Sequence, residues 1–367
     1  MKPPAILAKP EDHRGLLTMN DAVRAMLDAF QNWAHDPLVG ELRRRTHTPE
    51  NVRITLHQGA SPQHGTTGIM THAELVRIFG DNQRYPRRGR PVLVLYDSDT
   101  AALKLILVGE MHSKELPYAN SVVAMPTACA SMIGTDLLAR KDCRVAGIFG
   151  SGDQAKTHLL ALKCIRPIES ARVFSPTPAN REKFAEEMSE VLGISVATVE
   201  KPRDVIEGAD VIICATNSNV PVFDGNWLEA SQHVTSIVSS NIGLLKRGHV
   251  SEMRREVDDR TLERAEVLMT NVWGQEDLDH TAVFWEIAQR RPDIREKTVD
   301  AGQVLRGEKP GRTRDDQITY FKNCAFWGIG AAAIGGLIYQ KLYEQKKGTL
   351  LDFDPHEYFD EDWRNDQ

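Results

Sequence analysis

Between Val145 and His158 the chain reads Val-Ala-Gly-Ile-Phe-Gly-Ser-Gly-Asp-Gln-Ala-Lys-Thr-His, which places Gly150, Gly152 and Ala155 at the spacing G-x-G-x-x-A. The apolar run before Gly150 has the length of a buried strand, and a helical pattern begins after Gly152, so the glycines fall in the turn between them. Gly150 permits the tight turn, Gly152 lets backbone approach a pyrophosphate, and Ala155 lets the helix close on the strand. The free N–H groups and positive dipole end of a helix starting near Asp153 favour an anion. The chemistry open to this stretch is to hold a diphosphate, with Gly150, Ser151, Gly152, Asp153 and Gln154 as its cradle.

Such a turn alone is weak evidence; the elements that must position it strengthen the reading. Further strands are expected at Ser170 to Phe174, Ile194 to Val199, Val211 to Ala215, His233 to Val238 and Glu266 to Thr270, with a helix from Arg181 to Leu192. Strands and helices alternating at this rhythm predict an α/β, Rossmann-type doubly wound parallel sheet. Thr216 and Asn217 then stand at the carboxyl end of a strand, where ligands of such sheets collect.

Upstream, Thr18 and Asp21 precede an apolar helical pattern at Val23, Met26, Leu27 and Phe30. Asn51 to His57 alternates like a strand, with Val52, Ile54 and Leu56 on one side and Arg53 on the other. If that second side lines a cleft, Arg53 holds a carboxylate bidentately. Gly59 to Gly89 reads as loop with a brief element from Glu74 to Phe79. Pro91 to Tyr96 and Leu103 to Val108 read as a hairpin around Asp97-Ser98-Asp99-Thr100, and Ser121 to Arg140 as a long helix rich in small residues.

At 367 residues two domains are expected. The boundaries fall at 1–140 for an α+β substrate and dimerisation domain, 141–312 for the nucleotide-binding domain, 313–350 for a C-terminal segment returning to the first domain, and 351–367 for an acidic tail. In that segment Ile318 to Phe321 and a helix from Gly328 to Tyr343 make the return. A net charge of −6 without a clustered basic stripe argues against a nucleic-acid partner. The runs Arg43-Arg44-Arg45 and Arg87-Arg88 read as solvated surface. No segment has the apolar length of a signal peptide or a membrane span, so a cytoplasmic protein is expected. The five cysteines form no C-x-x-C pair and read as small buried hydrophobes rather than metal ligands or disulfides.

In the usual NAD-binding arrangement an acid ends the second strand and binds the ribose hydroxyls. Here the chain reads Phe174-Ser175-Pro176-Thr177. Ser175 and Thr177 are donors to a phosphate, and Arg172 and Arg181 are close enough in sequence to supply charge. NADP is therefore expected ahead of NAD.

The order of motifs resembles the ornithine cyclodeaminase and mu-crystallin family. The resemblance rests on Gly150 to Ala155, on Val173 to Thr177 with Arg181 and Phe184-Ala185, on Gly208 to Val211 with Ala215 to Ser218, on His233 to Ile237, and on Gly311-Arg312 with Ile318 to Lys322. It implies a homodimer, a nucleotide domain set between an N-terminal domain and the C-terminal segment that completes it, and nicotinamide chemistry at a carbon bearing nitrogen. It matches the family's first carboxylate-binding arginine to Arg53. The family's lysine has no counterpart, Arg77 being the nearest basic residue, and its second arginine is replaced within Met125-Pro126-Thr127. The family's catalytic aspartate falls near Ser240 and Asn241. His112, close to the lost arginine, becomes a candidate general acid, histidine being the residue type whose unperturbed pKa, about 6.5, suits that role. The function implied is an NAD(P)-dependent imine or ketimine reductase, or amine dehydrogenase, acting on a small amino-acid-like substrate. A deaminating cyclase and a nucleotide-bound ligand-binding protein remain the alternatives.

Overall fold

The computed structural model describes residues 4–79, 82–119, 121–238, 253–275 and 290–353, together with Leu245, Lys246, Gly248 and Leu278. In chain order the first strands are β1 (Ile6–Ala8), β2 (Arg44–His47), β3 (Val52–Ser61), β4 (Thr66–Phe79), β5 (Asn82–Arg88), β6 (Val92–Asp97) and β7 (Leu103–Val108). They are followed by β8 (Val145–Phe149), β9 (Ser170–Phe174), β10 (Ser195–Thr198), β11 (Val211–Cys214), β12 (His233–Ser236), β13 (Val267–Thr270), β14 (Thr298–Asp300), β15 (Thr319–Lys322) and β16 (Thr349–Leu350). The helices that matter for the site are α1 (Met19–His35), α2 (Ala124–Leu138), α3 (Asp153–Ile165), α4 (Pro178–Leu192) and α5 (Gly328–Gln345).

The strands make two sheets. One runs β16-β1-β7-β6-β4-β3-β2, with β5 added to β4; the other runs β10-β9-β8-β11-β12-β15-β13-β14. All the pairings in the second sheet are parallel. Its β11, β12, β13 and β15 are buried at every residue, as expected of parallel strands covered on both faces. The strand order reverses at β8, which places a ligand crevice at the carboxyl ends of β8 and β11.

Two expectations fail. Gly59 to Gly89 is not a loop: β3 continues to Ser61, Gly65 turns the chain at φ 61°, and the fourteen-residue β4 returns antiparallel to β3 and β6. The alternation is hidden because these strands carry Gly, Ala, Thr and His where a solitary sheet would carry large apolar residues. A Cβ on Gly68 would lie 2.0 Å from the Val94 carbonyl oxygen, so the residue that looks like a loop former permits a close strand pairing. Second, the segment from Ile318 to Phe321 does not return to the first sheet. It forms β15, inserted between β12 and β13 with Thr319 opposite both His233 and Val267. Tyr320 and Phe321 are fully buried there, so the run belongs in a sheet covered on both sides.

The helix after β15 does pack on the first sheet. α5 lies across β3, β4 and β6 and against α1. α1 is fixed at its start by a capping box, in which the Asp21 N–H donates to the Thr18 hydroxyl at 3.1 Å and the Thr18 N–H donates to the Asp21 carboxylate at 3.0 Å. Met26 and Phe30 on its inner face are fully buried. α2 is buried nearly all round and packs on α1 and α3, and on β12 and β15 of the second sheet; a helix so enclosed has no polar face to show.

The tightest contact between α5 and the first sheet is backbone on backbone. A Cβ on Gly59 would sit 2.4 Å from the Ile329 nitrogen, and one on Gly328 would sit 2.2 Å from the Gln58 carbonyl oxygen. Gly59→Ala and Gly328→Ala should therefore each destabilise the protein by about 1–3 kcal/mol through overpacking. The denaturant midpoint should fall with an unchanged slope; an unchanged midpoint would contradict the close approach.

Candidate active site

A cleft of about 950 Å³ runs from the carboxyl ends of β8, β9, β11 and β12 to the polar face of β2, β3 and β4. On the sheet side of the cleft mouth, Gly150 has φ 105°, and a Cβ there would lie 2.3 Å from the Ala215 carbonyl oxygen. Gly152 caps α3, and nothing lies within 4 Å of where its Cβ would stand. That open space above the first turn of a helix suits a diphosphate, whose oxygens can take the free N–H groups. The residues present therefore fit a dinucleotide. Ala155 is fully buried beneath the turn.

The Ser151 hydroxyl donates to the Ser175 hydroxyl at 3.0 Å and ties the end of β8 to the end of β9. Ser175, Pro176, Thr177 and Asn180 line this end of the cleft. The Arg181 guanidinium donates to the Ser175 carbonyl at 3.1 Å and lies 6.0 Å over the Phe174 ring. Arg172 does not join it: its guanidinium turns to the Glu207 carbonyl, because a residue inside the strand faces across the sheet. Gln154 donates to the Ser121 hydroxyl at 3.3 Å. Beyond β11, Thr216 and Asn217 line the cleft, and Arg254 secures their turn by donating to the Asn217 carbonyl at 2.8 Å and the Asn219 side-chain oxygen at 2.5 Å.

On the other side, strand alternation collects a charged cluster. Arg53, Thr55 and His57 of β3 are buried while Ile54 is 47% exposed, so the polar side of this strand faces inward and its apolar side outward. Arg53 is directly opposite Glu74, Thr55 is opposite His72, and Glu74 is opposite Arg88; facing residues of antiparallel strands share one side of the sheet. The Arg53 guanidinium pairs with the Glu74 carboxylate, Arg88 reaches the other oxygen at 3.3 Å, and His72 lies 3.9 Å away. Burial alone would raise the Glu74 pKa, but the charge and hydrogen bond of Arg53, the charge of Arg88 and, in acid where it is protonated, His72 outweigh it and hold the carboxyl below its ordinary value.

The histidines shift the opposite way. Burial pushes His72 down to about 4, with the attraction of Glu74 opposed by Arg53, Arg45 and Arg43. Burial and then Arg43, His72 and Arg45 hold His57 well below its ordinary value. Both rings are neutral near pH 7, so the His72–Glu74 contact is no ion pair there. His57 stacks on Trp327 with ring centroids 3.5 Å apart and an interplanar angle of 13°.

Several candidates are relocated. Arg43 and Arg45 line the cleft instead of lying in solvent, and Arg43 is 4% exposed; Arg44 between them points outward by strand alternation. Arg88 also lines the cleft, whereas Arg77 stands outside it, donating to the Glu50 and Val76 carbonyls at 2.9 and 3.1 Å. Glu74 and Val76 face inward on β4, so Arg77 must face away. His112 is absent from the cleft lining; its ring bonds the Ala119 carbonyl at 2.7 Å beside Met19 and Met125. Thr127 lines the cleft where the family's arginine motif falls, while Met125 is buried. Ser240 and Asn241 lie outside the described residues. His57, His72, Glu74, Arg254 and Trp327 escaped the sequence reading; the alternation Arg53-x-Thr55-x-His57 and His72-x-Glu74 was the signal for three of them.

Among the described residues no group of three or more His, Cys, Asp or Glu side chains is placed to hold a metal ion, and no helix is long and apolar enough to cross a membrane.

Residues 6–346 match the model of the ornithine cyclodeaminase/mu-crystallin family. A protein of Rhizobium meliloti named as a dehydrogenase is 31% identical over 278 residues, 75% of this chain and 77% of its own length. An alanine dehydrogenase of Archaeoglobus fulgidus is 24% identical over 356 residues, 95% of this chain and 98% of its own. Among solved structures, the Δ1-pyrroline-2-carboxylate reductase of Thermococcus litoralis, in complex with NADH and L-proline, is similar with a TM-score of 0.77 at 26% identity, covering 94% of this chain and all of that one.

The depressed histidine has a measurable consequence. Folded His72 takes up its proton only at about pH 4, whereas an unfolded imidazole does so at about 6.5. Between these values the unfolded chain binds more protons, so stability falls as pH drops through the window, by up to about 3 kcal/mol from this group. His72→Gln should flatten the dependence of the denaturation midpoint on pH between about 6.5 and 4.5; an unaltered slope would refute the assignment.

Proposed function

The chain belongs to the ornithine cyclodeaminase/mu-crystallin family, and from that premise we propose how its cleft is used. It is an NAD(P)-dependent oxidoreductase acting on a C–N bond of a small amino-acid-like substrate. Carrying this reading is the meeting, in one cleft, of the Gly150–Asp153 turn with the buried arginine, histidine and glutamate cluster. The Thermococcus reductase described with NADH and L-proline suggests an imino acid as substrate and the corresponding amino acid as product.

The nicotinamide, when bound, supplies or receives the hydride. Gly150, Ser151, Gly152, Asp153 and Gln154 surround the diphosphate, and Thr216 and Asn217 border the nicotinamide half. Arg53, supported by Arg43, Arg45 and Arg88, draws the substrate's acid group into the cleft by charge-assisted hydrogen bonds. Glu74 is ionised at neutral pH, which suits it to accept from a substrate N–H and not to donate a proton. The neutral rings of His57 and His72 bound the same space without adding repulsion toward a protonated nitrogen.

NADP is the nucleotide this site favours. Ser175, Thr177 and Arg181 offer donors and a positive charge for a 2′-phosphate, and no acidic residue stands from Phe174 to Arg181. A homodimer is the assembly proposed, with the outward side of β3, where Ile54 is exposed and Val52 and Leu56 are half-buried, as its candidate contact.

Two substitutions separate the nucleotide and substrate roles. Arg181→Ala should weaken NADPH about tenfold and NADH less than about twofold, the loss of one charged hydrogen bond; equal losses would remove the 2′-phosphate assignment. Arg53→Ala should raise the Michaelis constant for the imino acid at least about tenfold while nucleotide affinity stays within about twofold. Parallel changes in both would show that Arg53 serves the fold and not the substrate.

A further inference from the structure

Glu256 lies between the two sheet-end turns and is 1% exposed. One of its carboxylate oxygens accepts from the N–H and the hydroxyl of Thr216 at 2.7 and 2.8 Å; the other accepts from the N–H groups of Ile237 and Val238 at 2.9 and 2.8 Å. Thr216 follows β11, and Ile237 and Val238 follow β12. These two strands are parallel neighbours, and their ends carry N–H groups that the ladder no longer pairs. The position of Glu256 is itself fixed, since its carbonyl accepts from the Val222 N–H at 2.9 Å. From the far side the buried Lys322 ammonium donates to the Val238 carbonyl. One carboxylate thus clips two adjacent strand ends together, and Thr216, Ile237 and Val238 all present themselves to the cleft.

The place of this clip along the nucleotide follows from the topology. β9, with Ser175, flanks β8 on one side, and β11 and β12 follow on the other. A dinucleotide whose diphosphate lies at the Gly150 turn and whose adenosine half lies toward β9 extends its other half over β11 and β12. We infer that Glu256 is a positioning residue for the nicotinamide half of the cofactor, setting the separation of the two strand ends that border the ring. This inference rests on the dinucleotide reading above. It explains why the position carries an acid: a carboxylate is acceptor-only and meets four donors, whereas an amide of the same shape would turn its NH2 against at least one of them.

The test compares the whole nucleotide with the fragment that lacks nicotinamide. Calorimetric titrations of wild type and Glu256→Gln use NADPH against 2′-phospho-ADP-ribose, and NADH against ADP-ribose. Glu256→Gln is expected to weaken the dinucleotides at least about tenfold and to leave the fragments within about twofold, because the diphosphate turn and the end of β9 are untouched. Equal weakening of dinucleotide and fragment, or no weakening of either, overturns the inference. If Glu256→Gln gives no cooperative thermal transition, Thr216→Val, which deletes the hydroxyl that donates to Glu256 and accepts from the Ser218 N–H, should weaken the dinucleotides about threefold and again spare the fragments; an equal effect on both overturns it. Wild-type protein that binds neither dinucleotide nor fragment overturns the dinucleotide reading itself, an outcome visible before any variant is compared.

Discussion

A sheet face made of arginine, histidine and glutamate can lie against protein only if its charges answer one another, and in this cleft the Arg53–Glu74 pair does so. Both side chains are 7% exposed, a depth at which an unpartnered charge would cost several kcal/mol. The pair joins β3 to β4 and, through Arg88, to β5. It allows the strand to present its apolar residues outward and its ionic residues inward, the reverse of an ordinary half-buried strand. The neutrality of His57 and His72 follows first from their burial and then from the cations nearby, Arg43 and Arg45 for both rings and Arg53 for His72.

The nucleotide side was legible for a physical reason. Gly150 is required because its φ of 105° and the Ala215 carbonyl 2.3 Å from where a Cβ would stand exclude a side chain, while Gly152 leaves open space over the start of α3. The parallel strands β8 and β11 were legible because full burial demands unbroken apolar runs, whereas β15, reading Thr-Tyr-Phe-Lys, pointed to the other sheet. The substrate side was much less so. Strand alternation shows that Arg53 and Ile54 face opposite ways, but not which of them meets the interior, because that depends on what the sheet packs against. Arg43 and Arg45 looked like solvated surface for the same reason. The alternation of His72 and Glu74 was a signal that they share a side of β4, but only the register of β4 on β3 sets Glu74 opposite Arg53.

The two sheets are bound into one site by a short stretch of chain. β15 ends at Lys322 in the middle of the parallel sheet, and five residues later Trp327 stacks on His57 of the other sheet. Between them the Asn323 amide donates to the Thr127 carbonyl at 2.9 Å and to the Ser131 hydroxyl at 2.8 Å, fastening the crossing to α2. Any rotation of one sheet against the other must strain this connection, so the spacing of the cleft walls is built into the backbone.

The pairing of β1 with β16 also bears on how the molecule is made. Ile6 lies opposite Leu350, and α5, which covers β3, β4 and β6, begins only at Gly328. During synthesis the first seven strands leave the ribosome long before the helix that seals them exists. The face of β3, β4 and β6 that α5 covers, Gly59 included, must wait, uncovered, while the parallel sheet is produced. Contacts so distant in sequence form slowly and leave partly assembled chains prone to association, so the interval before α5 arrives is when the nascent protein is most exposed to aggregation.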